Sequence, residues 1–280
     1  MREISVSTVT DTIRQMCIDA NCYLNEDILS ALKKAQKAEP SPIAQKVLDN
    51  ILENAEIARA EEVPICQDTG MAVLFLEIGQ DVHFVGGNLY DAVNEGVRRG
   101  YEDGFLRKSV VRDPIRRGNT GDNTPAVIHT SIVPGEQIKI TIAPKGFGSE
   151  NMSALKMLKP SDGRAGVLDF VVDTVKKASG NPCPPLVVGV GIGGTMEKAA
   201  CMAKEALLRD IRESNADEYY AQMETELLER INQTDVGPQG FGGVTTALGV
   251  NIEAFPTHIA GLPVAVNISC HVTRHLSQIL

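Results

Sequence analysis

A chain of 280 residues, 43% apolar and 22% charged, has enough apolar surface for one large soluble domain or two small ones. Its net charge of -9, with no basic cluster to offset it, argues against a nucleic-acid partner, and no apolar run reaches the ~18 residues that would span a membrane. The opening MREISVSTVTDTIRQ carries no secretory signal core, and with no tryptophan and only 4% aromatics the chain lacks stacking platforms for bases or sugars.

Residues 6–61 read as helical. Apolar side chains recur at helical spacing over 6–20. Asn25-Glu26-Asp27 supplies a cap and an acidic first turn for a helix over 28–38. Ser41-Pro42 opens a third helix, with proline at its first position. After a bend at 63–70, MAVLFLEIG has strand length and 89–100 returns to helix. LRKSVV (106–111) reads as a short strand, and 112–125 is polar and turn-rich. Residues 126–133 and 137–143, separated by Pro134-Gly135, read as a hairpin. A glycine-rich loop, KGFGS (145–149), leads into a helix near Glu150, and 167–178 is helical. A buried strand over 186–190 runs into GVGIGG, then a helix over 197–212. Residues 217–232 form a charged helix with a solvated face, 237–243 a loop, 245–253 and 264–268 strands, and 272–280 a closing helix. Interleaved helices and strands without a linker predict a single α/β domain, with a helical part over 1–61 and a mixed β-sheet with surrounding helices over 62–280.

The six cysteines, Cys17, Cys22, Cys66, Cys183, Cys201 and Cys270, are dispersed along a chain without an export signal. That usage fits a reducing cytoplasm, and metal or catalytic roles rather than disulfides. Cys17 and Cys22 sit in the helical region as small buried hydrophobes. Cys66, in VPICQDTG, lies between a proline and an Asp-Thr-Gly turn, with an amide and a carboxylate beside it. Cys183, in NPCPP, is bracketed by prolines and cannot lie inside a helix or a central strand. Cys270, in ISCHVTRH, is placed at a strand end and a helix start, where a helix N-terminus favours thiolate. Three thiolates on three remote bends suit a [4Fe-4S] cluster with one iron left open, or a zinc site of three cysteines. No CxxC spacing decides between these readings and three separately buried thiols.

GVGIGG (189–194) matches GxGxxG after a strand, but no second strand ending in an acid follows; Asp210 falls within the predicted helix. A tight strand-to-helix turn is the simpler reading. KGFGS lacks the GK[ST] ending of a phosphate loop but offers backbone N–H groups to a small anion. His258 lies in a loop between two strands, His129 in a β-rich run, His83 on the surface, and His271 and His275 flank Arg274.

PICQDTG, DNTPAVIH, KGFGS, NPCPP with GIGG, GGVTTALGVNIE and PTHIAGLPVAVNISCHVTRH together resemble the α subunit of class I fumarate hydratase, and equally that of L-tartrate dehydratase, over nearly the whole chain. The resemblance implies a [4Fe-4S] cluster on Cys66, Cys183 and Cys270. It implies substrate contacts from Gln67, Asp68, Arg107, Gly146 or Gly148, and His258, with Asp68 and His258 in catalytic roles. It also implies a hydro-lyase of the tricarboxylic acid cycle type, converting fumarate and (S)-malate, with L-tartrate dehydration as the alternative. Fused relatives continue into a second domain that carries more carboxylate clamps and a proposed base. A separate β subunit is therefore expected, in a heterodimer or heterotetramer. A nucleotide-binding or cluster-carrying regulatory module is the reading from another class.

Overall fold

The computed structural model describes residues 2–280. Its elements in chain order are β1 (Arg2–Ser5), α1 (Val6–Cys22), α2 (Glu26–Ala38), α3 (Pro42–Glu61), β2 (Met71–Gly79), β3 (Val82–Val85) and α4 (Leu89–Asp103). There follow β4 (Val127–Val133), β5 (Ile138–Lys145), the single turn α5 (Phe147–Glu150), β6 (Ala154–Leu158), α6 (Gly163–Ala178), β7 (Leu186–Gly193) and α7 (Met196–Glu205). The last are α8 (Glu218–Asn232), β8 (Ala247–Phe255), β9 (Leu262–Ser269) and β10 (Leu276–Ile279). The α/β class read from the sequence is the class observed. The chain divides into two compact units: the first holds residues up to Leu24, Ala55–Phe147 and Arg274–Leu280, the second Asn25–Asn54 and Gly148–Thr273.

The first unit is built on a four-stranded sheet in the order β10-β5-β2-β4, with β1 and β3 paired beside one another in a separate parallel ribbon. β2 is parallel to β4 and antiparallel to β5, which is in turn antiparallel to β10. β2 is almost continuously apolar because almost its whole length is buried. The core joins Leu74 and Leu76 of β2 and Ile138, Ile140 and Ile142 of β5 to Val9, Ile13 and Met16 of α1 and Val93 and Val97 of α4. The two helices approach closely through glycines: a Cβ at Gly100 would lie 2.6 Å from the Cys17 Cβ. Asn88 starts α4 by accepting from the N–H groups of Tyr90 and Asp91.

The second unit carries the sheet β6-β9-β7-β8, with β9 antiparallel to both neighbours and β7 parallel to β8. Every residue of β7 is buried. Its glycines admit α7: a Cβ on Gly189 would stand 2.0 Å from the Ala203 carbonyl oxygen, and one on Gly191 2.0 Å from that of Ala199. The glycines of GVGIGG are thus taken up by helix packing, in agreement with the simpler of the two sequence readings. α6 and α8 cover the core through Val171, Val175, Leu227 and Ile231.

Several expected elements differ. Residues 106–111 form no strand; Val111 makes only an isolated bridge to Asn119. The segments flanking Pro134-Gly135 are not a hairpin, because β2 lies between β4 and β5. The helix after GVGIGG ends at Glu205, so Asp210 lies beyond it. The expected helix near Glu150 is the single turn α5, and β6 follows it. The charged helix expected over 217–232 is α8, which keeps a solvated face and buries Met223, Glu224, Leu227 and Ile231 on the other. The expected closing helix is β10, whose pairing with β5 overrides the local preference of HVTRHLSQI. Cys270 is consequently followed by irregular backbone and gains nothing from a helix dipole.

Candidate functional site

In the first unit the residues of interest collect at one end of the sheet, and strand register explains why. Met71 opens β2 opposite Lys145, the last residue of β5. Val73 pairs with Val127 at the start of β4, and Leu276 at the start of β10 pairs with Ile142. The bend before β2, the long segment before β4, the loop after β5 and the residues before β10 therefore share that end.

The bend is held mainly by its backbone. Tyr101, fully buried on α4, donates its hydroxyl to the carbonyl oxygens of Thr69 at 2.7 Å and Gly70 at 3.0 Å. Asn123 Nδ2 donates to the same Gly70 oxygen at 3.2 Å, while its Oδ1 accepts from Ser109 and Val110 N–H. Thr69 Oγ1 donates to the Arg107 carbonyl oxygen at 3.2 Å, which fixes the start of the Arg107 segment against the bend. Arg274 Nη2 donates to the Asp68 carbonyl oxygen at 2.5 Å. Gly70 is required here: its φ is +78°, and a Cβ would meet Lys145 N at 2.7 Å.

Asp68 has one carboxylate oxygen on Gly70 N–H (3.0 Å) and the other on Phe147 N–H (2.9 Å). The first bond is the local turn that Asp favours; the second ties the bend to the glycine-rich loop. A Cβ on Gly146 would come within 3.2 Å of Asp68 Oδ2, so glycine lets the carboxylate lie against that loop. Gln67 and Arg107 are exposed, and Cys66 and Asp68 are half-buried. The first unit thus gathers Cys66, Gln67, Asp68, Arg107 and Gly146.

The second unit brings two more cysteines together by the same logic. Cys183 lies just before β7 and Cys270 just after β9, and the antiparallel register sets Val187 opposite Ser269. The Cys183 carbonyl oxygen accepts from His271 N–H at 3.3 Å, with His271 Nδ1 at 2.9 Å. Gln239 completes the tie by donating both its backbone N–H and its Nε2 to the Pro184 oxygen at 2.8 Å. Cys183 has a φ of +55°, a costly conformation for a residue with a Cβ, and its side chain is exposed. Gly148 and Ser149 lie toward the same end, since Ser153 Oγ accepts from Ile268 N–H and Asn267 donates to Glu150. His258 does not join them. It lies in the exposed loop after β8, where Thr257 donates to Gly194 O, at the far end of β7 from Cys183. An eight-residue strand separates the two, on the order of 25 Å at about 3.3 Å per residue.

The six cysteines are all thiols, and they fall into two groups. Cys17 and Cys22 are buried, and burial pushes both thiols up, Cys17 far beyond the ordinary range. Cys201 is pushed up to about 11, by burial first and by Glu205. Cys66, Cys183 and Cys270 are exposed or half-exposed on bends, which is the donor chemistry a sulfur-ligated cluster needs. Among the described residues, no three His, Cys, Asp or Glu side chains converge on a single ion. A cubane makes a different demand, since each of its cysteines binds a separate iron.

A family profile described as Fumarate hydratase (Fumerase) matches residues 10–278. The chain belongs to the fumarate hydratase family. Its similarity to a Methanocaldococcus jannaschii protein, provisionally named L(+)-tartrate dehydratase subunit alpha, is 44% identity over 271 residues, 95% of each chain. Proteins of Escherichia coli and Shigella sonnei named L(+)-tartrate dehydratase subunit alpha are 29% identical over 276 residues, 98% of this chain and 91% of theirs. In this fumarate hydratase family member the matched stretch includes all three bend cysteines and every site residue named from the sequence. Sequence reasoning assigned no role to Tyr101, Asn123, Lys145 or Arg274, which build the bend's surroundings. The one available signal was Arg274, a cation set four residues after Cys270 between two histidines.

Proposed function

We propose that this chain is the cluster-bearing α subunit of a cytoplasmic hydro-lyase that interconverts fumarate and (S)-malate together with a β-type partner. The observation that carries this reading is the family match over residues 10–278, which spans the three accessible cysteine bends. Relatives named as alpha subunits support the partner.

Cys66, Cys183 and Cys270 are the proposed ligands of a [4Fe-4S] cluster, which when bound supplies an iron without a protein ligand as Lewis acid for a small oxygen donor. The protein's own groups do the rest. Arg107, with its backbone fixed and its guanidinium exposed, is suited to two-pronged binding of a carboxylate. Gln67 offers an amide beside it. Asp68, held as an acceptor by two amides, orients a hydroxyl or relays its proton. Gly146 and Gly148 let a carboxylate approach backbone N–H groups. His258 is retained as a substrate-side residue; its place at the opposite end of β7 from Cys183 means that it must reach substrate in an assembled enzyme. Hydration develops negative charge on the substrate carboxylate, and Arg107 stabilises that charge in place.

The second reading, L-tartrate dehydration to oxaloacetate, is favoured by the names of the relatives. A nucleotide-binding role has lost its motif to the packing of α7 on β7. The test is anaerobic reconstitution of the chain co-expressed with a β-type partner. Iron, sulfide and the 4Fe absorption band are followed alongside turnover of malate and of tartrate. Sedimentation of the same preparation separates heterodimer from heterotetramer. A chain that takes up no iron, or a loaded pair that dehydrates neither acid, ends the proposal.

A further inference from the structure

Arg274 is placed as few arginines are. It is 5% exposed, and its Nε and Nη1 are buried without a hydrogen-bond partner. Its Nη2 bond goes to a neutral carbonyl, that of Asp68. Among the described residues, the charged side chains buried in the first unit are Arg274 and Lys145, both cations. Lys145 stands at the same sheet end, opposite Met71, and its Nζ donates to the Gly146 oxygen. The half-buried carboxylate of Asp68 turns its oxygens to the Gly70 and Phe147 amides.

The second unit shows the ordinary arrangement. Its buried Glu224 is paired with Arg209, its buried Asp27 accepts from Ile211 N–H, and its buried Glu39 accepts from Ser41 and Val244. A desolvated guanidinium with two idle donors and no counter-ion is unfavourable by itself, and all the more so in a chain with 36 acids to draw on. Such a group is retained where negative charge is to arrive.

We propose that Arg274 is the built-in counter-charge for the anionic sulfur centre assembled at Cys66, two residues from the carbonyl it grips. The proposal rests on the reading of Cys66 as a cluster ligand. A [4Fe-4S]2+ core with three thiolates carries one net negative charge, opposite in sign to the Arg274 guanidinium. Arg274 is a positioning residue here: it acts on the Cys66–Asp68 bend and on the charge gathered there.

The test uses the full chain with Arg274→Lys, Arg274→Gln and Arg274→Met. Two measurements besides turnover separate charge from hydrogen bonding. The first is iron loss from anaerobically loaded protein under a chelator. Loss becomes at least about tenfold faster in R274Q and R274M, as expected for removing a nearby unit charge at low dielectric, and stays within about twofold in R274K. The second is thermal unfolding of the metal-free chain. There R274M melts no lower than wild type, because removing an uncompensated buried charge offsets the lost bond to Asp68 O; a purely structural arginine would lower the melting temperature in both states. Wild-type chain that takes up no iron overturns the cluster reading and this proposal together. Normal wild-type loading with R274Q holding iron as long as wild type overturns this proposal alone. So does an R274Q that keeps its iron but shows a tenfold higher KM, which would assign Arg274 to the substrate carboxylate instead.

Discussion

Tyr101→Phe deletes one oxygen atom and tests whether the bend is held from behind. The hydroxyl donates to Thr69 O and Gly70 O in a fully buried setting. Burial pushes the phenol far above its ordinary range, so it remains a donor at every working pH. Gly70 O keeps a second donor in Asn123 Nδ2, so one carbonyl, that of Thr69, is orphaned rather than two. A buried acceptor left without a partner costs about 1–3 kcal/mol, and the small void left by one oxygen adds little. A loss of about 1–2 kcal/mol in the urea midpoint analysis is expected, or about 2–5 °C in melting temperature for a chain of this size. Because Thr69 also anchors the Arg107 segment, kcat/KM should fall further than stability alone accounts for, with fold preserved by circular dichroism. Tyr90→Phe is the control: its hydroxyl meets Thr130 Oγ1 on the surface, and its loss should stay within about 0.5 kcal/mol. A Y101F chain that unfolds at the wild-type urea concentration, or a Y90F chain equally weakened, would refute the reasoning.

Gly191→Ala forces a Cβ to within 2.0 Å of Ala199 O, so α7 must move outward; a loss of about 2–3 kcal/mol or more is expected in urea unfolding, with no thermal shift from NAD or ATP in the parent chain. Alkylation of the metal-free chain by iodoacetamide at pH 8, read by peptide mass spectrometry, should label Cys66, Cys183 and Cys270 while sparing Cys17 and Cys22, with Cys201 slow because its thiol sits near 11; reconstitution should then protect the first three together. Glu95 is lowered from its ordinary 4.5 to about 2, chiefly by hydrogen bonds from Arg98 and then Arg99. A lowered carboxyl stabilises the fold above its unfolded pKa and loses that contribution as pH falls through the folded one. Glu95→Gln should therefore cost at most about 0.5 kcal/mol at pH 7 for these solvent-exposed pairs. The cost should shrink below pH 4.5, reach nothing near pH 2, and be smaller in high salt.

How far the sequence could be read depended on where each segment's conformation was decided. β2 and β7 were legible because uninterrupted apolar runs of strand length carry their own signal. α1 was legible in its helical apolar spacing and α3 in Ser41-Pro42 at its start, whereas Asn25 stands at the cap position of α2 without a side-chain hydrogen bond. β10 was not, since LSQI becomes a strand only by pairing with β5, more than a hundred residues earlier. The hairpin expected at Pro134-Gly135 failed for a related reason: adjacency in sequence suggests pairing, whereas β2 inserts between the two strands. At the site, proline and turn residues exposed the Cys66 and Cys183 bends, while Cys270 was read from the end of its strand. The closeness of the Cys183 and Cys270 backbones is a product of β7–β9 register, and no local pattern encodes that. Tyr101 and Asn123 act through main-chain carbonyls, and a residue that serves a backbone group leaves no recognisable spacing.

The first unit draws its last strand and Arg274 from residues 274–280, whereas its other segments lie before residue 148. During vectorial synthesis on the ribosome, β2, β4 and β5 emerge more than a hundred residues ahead of β10. One margin of β5 stays open until residues 276–279 have been translated and have cleared the exit tunnel. A truncation that removes only these seven residues would therefore act as a lesion in the amino-terminal half of the molecule, at the Asp68 bend that Arg274 grips.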